Sequence, residues 1–265
     1  MTRVAWLTDI HLNFLEDAAI ETFLAQVRHA RPDAVLLGGD IGEARNVAQY
    51  LIRLHDALDV PLYFVLGNHD FYGGSIAEVR RQAAELSQAR PELVYLSASE
   101  PITLSPDVAL VGHDGWADGR VGDYERSLVM MSDYKLIAEL ACFSKQQRWD
   151  ELKALGDQAA AHIRRVLPLA LERHGRCILL THVPPLREAC WYEGQISDDQ
   201  WAPHFVCLAM GEAILEVMRA RPEKQLTVLC GHTHSPGEAR PLPNVQILTG
   251  GTEYGFPGVQ RVLEL

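Results

Sequence analysis

Apolar runs that stop abruptly at aspartate, asparagine or histidine constrain this chain more than any other feature. VAWL leads to Asp9 and His11. AVLL leads to Gly38, Gly39 and Asp40, and YFVL to Gly67, Asn68, His69 and Asp70. ILL leads to Thr181 and His182, and VLC to Gly231, His232 and His234. A continuous apolar run is the pattern of a strand buried on both faces, as in a parallel sheet covered by helices. Such strands would deliver their terminal polar groups to one edge. Burying those groups unpaired is costly, so their collection at strand ends predicts a shared ligand. Carboxylate, amide oxygen and imidazole together suit borderline divalent metals.

The order of elements supports this reading. RVAWLTD, DAVLLGGD and LYFVLGNHD read as strands. The amphipathic stretches LEDAAIETFLAQVRHAR, EARNVAQYLIRLHDAL and SIAEVRRQAAELSQAR read as the helices that follow them. Strand–helix alternation implies a parallel sheet with crossover helices, and Pro32 and Pro91 mark helix ends. The rhythm then changes. LVYLS, ITL and VALVGHDGW are short and close together, as in antiparallel or mixed pairing. A long helix is expected over 145–173, kinked or divided by Pro168. CILLTH and LTVLCGHTH are further strands, FVCLAMGEAILEVMRAR a helix, and VQILTGG and VQRVLEL a closing strand pair. Residues 115–145 and 184–203 lack regular periodicity and are rich in Gly, Trp and Tyr. Loops this long, beyond ~12–15 residues, are commonly functional or mobile.

Composition narrows the class. The 265 residues, 48% hydrophobic, suffice for one large core over 1–265 and do not require two domains. A net charge of −11 argues against nucleic acid as a bulk partner, because backbone phosphates are bound through Lys and Arg. No run approaches the ~20 apolar residues of a membrane span, and MTRVAWLTD shows no signal-peptide core, so a cytoplasmic protein is expected. Cys142, Cys177, Cys190, Cys207 and Cys230 show no C-x-x-C spacing and read as reduced thiols.

Asp9 and His11 are two residues apart at a strand exit, so both can point to one side. Asp40 follows two glycines that permit a sharp turn, and its single carboxylate could bridge two ions. Asn68 supplies a neutral oxygen, and His182, His232 and His234 complete the set. A pair of ions about 3.5–4 Å apart is a known device for hydrolysing phosphate esters. Asp9-x-His11, Gly39-Asp40, Gly67-Asn68-His69-Asp70, Thr181-His182 and Gly231-His232-x-His234 resemble the complete signature of the calcineurin-like metallophosphoesterases, across residues 9 to 234.

The resemblance implies an α/β fold, a four-layer α-β-β-α sandwich of two mixed sheets flanked by helices. It implies one metal held by Asp9, His11, Asp40 and His234, and a second held by Asp40, Asn68, His182 and His232. A hydroxide bridging the ions would attack phosphorus. His69 would protonate the leaving group or stabilise the transition state, with Asp70 orienting it. The ions would be divalent transition metals (Mn, Fe, Ni, Co or Zn, with Mn foremost), and the substrate a small soluble phosphomonoester or phosphodiester. The other reading is an inactive scaffold of this family that binds proteins; such a scaffold should lack His69 or several ligands, and here all are present.

Other residues are weighed against plainer roles. His113 is either a phosphate contact or a loop histidine. Trp116, Tyr124, Trp191, Tyr192 and Trp201 either form a specificity wall or pack the loops. Arg120, Arg126, Arg148 and Arg187 read as solvated, and His29, His55, His162, His174 and His204 as structural.

Overall fold

The computed structural model describes residues 2–141 and 144–265. The expected alternation forms the first sheet. Strands β1 (Arg3–Leu7), β2 (Ala34–Gly38), β3 (Leu62–Val65) and β4 (Leu93–Tyr95) lie parallel in chain order. Helices α1 (Asp17–His29), α2 (Val47–Leu58) and α3 (Ile76–Ala89) connect them. Leu7 pairs with Leu37 and Leu37 with Phe64, so the three strands finish level. Asp9, Asp40 and Asn68 therefore leave the sheet on one edge.

The second sheet is mixed. It contains β5 (Ile102–Ser105), β6 (Val108–His113) and β7 (Arg176–Thr181). A separate hairpin follows, β8 (Trp191–Tyr192) with β9 (Gln195–Ile196). Then come β10 (Gln225–Cys230), β11 (Gly237–Leu242) and β12 (Val245–Thr249), and the six large strands run in the order β11-β12-β10-β7-β6-β5. The last strand, β13 (Arg261–Glu264), returns to the first sheet, antiparallel to β1. This corrects the expected closing pair. VQILTGG joins β10 and β11, whereas VQRVLEL joins β1, in the other sheet.

Alternation along the strands builds the layers. Ala5, Leu7, Val35, Leu37, Leu62 and Phe64 pack against α1–α3. Val4, Trp6, Leu36 and Val65 face Leu110, Ile178, Leu180 and Leu229 of the other sheet. The opposite face of that sheet, Val111, Cys177, Leu179 and Val228, packs on α4 (Lys145–Arg173) and α5 (Leu208–Arg219). The result is the expected helix–sheet–sheet–helix stack. Helix α4 begins at a Ser144–Gln147 capping box and continues through Pro168 without division. Among the described residues no helix is long and apolar enough to cross a membrane.

Candidate metal centre

Five of the expected ligands sit in left-handed backbone conformation: Asp9 (φ 52°), His11 (40°), Asp40 (52°), His232 (71°) and His234 (57°). Each non-glycine residue held there costs of order 1–3 kcal/mol, and such strain gathers at functional sites. The turns bend the strand exits back towards one point. Close approach then requires glycine. A Cβ on Gly67 would lie 2.1 Å from Asp40 Oδ1, and one on Gly231 would lie 2.0 Å from Asp9 Oδ2.

The ligand atoms form two clusters. In the first, donor atoms of Asp9, His11, Asp40 and His234 all lie within 4.8 Å of one another. His11 Nε2 is 3.1 Å from His234 Nε2 and 3.6 Å from Asp40 Oδ2. In the second, His232 Nδ1 is 2.9 Å from Asn68 Oδ1 and 3.2 Å from His182 Nε2. His182 Nε2 is 3.4 Å from Asp40 Oδ1. Asp40 thus offers one oxygen to each cluster, as a bridging ligand would.

The hydrogen bonds behind these atoms make the second cluster a set of acceptors. His182 Nδ1 is 2.9 Å from the Gly38 carbonyl and His232 Nε2 is 3.2 Å from that of His204. A carbonyl only accepts, so in the neutral rings those nitrogens carry the protons and the inward nitrogens carry lone pairs. The Asn68 amide donates to Asp133 Oδ1 at 2.9 Å and to Tyr72 Oη at 3.1 Å, which turns its oxygen inward. Lone pairs converging on one point repel unless a cation lies between them. The residues therefore fit two divalent ions.

The electrostatics agree. Burial holds the His11 imidazole down at about 2 and that of His232 at about 3, so both are neutral and able to ligate. Burial, together with the carboxylates of Asp9 and Asp70, pushes Asp40 well above the usual range. Burial also raises Asp9, but its hydrogen bond with His234 and the surrounding imidazoles more than offset this and hold it low. A divalent cation would favour the ionised form of both carboxylates.

Asp70 differs from its expected place. Its oxygens accept from the backbone N–H groups of Ile41, Gly42 and Gly67 at 2.8–2.9 Å, bracing the loops that carry Asp40 and Asn68. His69 is held otherwise. Its backbone N–H donates to Asp40 Oδ1, and its ring lies 4.3 Å from that of Tyr72, 30° from parallel. Burial, with the charge of His182 next, lowers the His69 imidazole to about 4.

Asp133 gave no signal in the sequence. It is buried in the 115–145 loop and accepts from both Asn68 and Tyr72 Oη, the latter at 2.7 Å. The neighbouring Tyr134 hydroxyl is 2.5 Å from Nδ1 of His204, whose carbonyl holds His232. His204, read as structural, therefore positions His232 through its carbonyl.

A cleft of about 250 Å³ opens over the clusters. Asp40, Asn68, His69, His232 and His234 form its floor, and Met131, Tyr192, Trp201, Phe205 and Tyr254 its walls. Both long loops thus contribute to it. Tyr254 and Phe205 were not foreseen. Trp116 is buried against Phe71 and does not line this cleft. Trp191 packs on Gly237. His113 is buried beside His162, with its Nδ1 accepting from Gly115, and it too stays out of the cleft. Arg120 pairs with Asp118 and Asp157, and Arg187 with Asp199. Arg148 is buried over the Tyr134 ring, contrary to its reading as solvated. Cys177, Cys190, Cys207 and Cys230 are free buried thiols, and Cys142 lies outside the described residues.

Two mixed sheets that gather carboxylates and imidazoles at their strand ends make up the architecture of a metal-dependent phosphoesterase. The profile of the calcineurin-like phosphoesterases matches residues 2–236, and the chain belongs to that family. No curated protein matches its sequence. Among solved structures it is similar to a dimetal phosphatase from Danio rerio, at 17% identity and TM-score 0.57 over 94% of this chain and 87% of that one. It is also similar to a phosphopantetheinyl hydrolase from Mycobacterium tuberculosis, at 14% identity and TM-score 0.67 over 96% and 90%.

Proposed function

We propose that the protein is a dinuclear metal-dependent hydrolase of small phosphate esters, with Asp9, His11, Asp40 and His234 holding one ion and Asp40, Asn68, His182 and His232 the other. The observation that carries this reading is the convergence of ligand atoms in both clusters, with one Asp40 oxygen in each. Bound ions would supply Lewis acidity and a water acidified toward neutrality. In the hydrolysis the ester P–O bond breaks, a water oxygen takes its place on phosphorus, and a water proton ends on the released alcohol. His69, on the cleft floor beside Asp40 and Asn68, would protonate the leaving group or donate to a phosphoryl oxygen and stabilise charge that develops there.

Elemental analysis together with hydrolysis of an aryl phosphate in added Mn²⁺ tests the proposal. Wild type should carry close to two ions per chain and turn over the ester. Asp40→Ala should lose both ions. A wild-type protein that binds no metal and hydrolyses no ester would sink the reading.

A further inference from the structure

The cleft walls carry an unusual chemistry for a site that receives phosphate. Among the described lining residues none is Lys or Arg. Tyr192, Trp201 and Phe205 form one aromatic wall, with Trp201 stacked on Phe205 at 5.3 Å and 19° and Tyr192 within 5.0–5.2 Å of both. Phe205 stands edge-on to His232 of the second cluster. Tyr254 lies 4.6 Å from His11 and 4.7 Å from His234, so it covers the first cluster. The rim continues this character. Phe14, 56% exposed, touches Tyr254 with ring centroids 5.2 Å apart. Apolar side chains exposed together around a cleft mark a ligand surface.

From these walls we infer the substrate class: phosphate esters of uncharged, apolar alcohols, aryl alcohols foremost. The inference rests on the phosphoester hydrolysis proposed above. The metal clusters and His69 can receive one phosphoryl group. A second phosphate or a carboxylate on the leaving group would enter a cleft walled by aromatic faces, which present negative charge. It would find no guanidinium or ammonium among the described lining residues to replace its water. A flat uncharged ring loses nothing there and gains contact with Trp201, Tyr192 and Met131. The modest volume, below the ~300–1,000 Å³ usual for ligand pockets, suits a single ring with its phosphate.

The test uses the full chain loaded with Mn²⁺ and compares phenyl phosphate with 4-carboxyphenyl phosphate, and butyl with octyl phosphate, each also as its methyl diester. The uncharged ring should be favoured at least tenfold in kcat/KM. Phenyl exceeding octyl would support the aryl preference; octyl exceeding phenyl would overturn that preference while leaving the apolar class. Trp201→Ala should cut the phenyl to 4-carboxyphenyl ratio several-fold, about the worth of one aromatic contact, and Trp201→Phe should restore it. Met131→Arg should move preference towards the charged ester. Metal content and circular dichroism establish that each variant is folded. Equal or greater turnover of the charged ester by wild type overturns the substrate class while leaving phosphoester hydrolysis standing. Hydrolysis of no ester at all overturns both.

Discussion

Replacing Asp133 with alanine should separate the two halves of the metal centre. The carboxylate is buried and accepts from Asn68 Nδ2 at 2.9 Å and from Tyr72 Oη at 2.7 Å. Its removal leaves two buried donors short of an acceptor, at about 1–3 kcal/mol each. It also frees the Asn68 amide, whose oxygen then no longer points at the second cluster by default. Loss of a partner that orients a ligand usually lowers metal affinity by about 10–100-fold, or about 1.4–2.8 kcal/mol. That is within the stabilisation the two hydrogen bonds can supply. Asp9, His11 and His234 make no hydrogen bond to Asp133 among the described contacts, so the first cluster should keep its ion. Titration calorimetry of the metal-free protein with Mn²⁺ should show two binding steps, with only one of them, that of the second cluster, displaced in Asp133→Ala. Asp133→Asn, which retains an acceptor oxygen in the same place, should recover most of the affinity. An unchanged second step, or equal weakening of both, would refute the assigned role.

The remaining predictions concern the scaffold around the site. Gly67→Ala places a Cβ 2.1 Å from Asp40 Oδ1 and 2.5 Å from its backbone nitrogen; side-chain rotation cannot relieve the second contact. The variant should lose about 1–3 kcal/mol of stability and part of its metal, and wild-type melting with full metal content would contradict this. Asp114 accepts from Tyr95, Ser97, Arg80 and the Leu66 backbone. Burial raises its carboxyl, but Arg80 above all offsets this and holds it below the usual range. A depressed folded pKa contributes stability that is complete above the ordinary value of 3.8 and is lost as pH falls through the depressed one. Asp114→Asn should therefore be less stable than wild type at pH 7, with a gap in urea midpoint that narrows below pH about 4; a constant gap would disprove the linkage. Burial pushes the thiols of Cys207 and Cys230 up to about 12 and that of Cys190 to about 11. Site-resolved thiol labelling at pH 8 should leave these three unmodified until the protein unfolds, and labelling of the native protein would contradict their burial.

The sequence by itself determined which residues leave the strands and what chemistry they bring. A strand end is a local event, in which an apolar run stops and within four residues glycine, aspartate, asparagine or histidine follows. The same locality made α4 legible, since its helical pattern lies within one continuous segment. β11, by contrast, gave no signal: GEARPL is an edge strand with only Ala239 buried, with Pro241 and a register shift after Ala239. Tertiary structure alone decided the rest. It set β13 beside β1 and β12 beside β10, although the two segments look alike. It turned Asp70 away from its neighbour His69 towards Ile41 and Gly42, placed Asp133 behind Asn68, and laid Tyr254 over His11. Each of these pairings joins residues far apart in the chain, or prefers a distant partner to an adjacent one. The residues that hold the ligands are chosen by which groups are left unpaired once two sheets close on each other, and no local pattern records that.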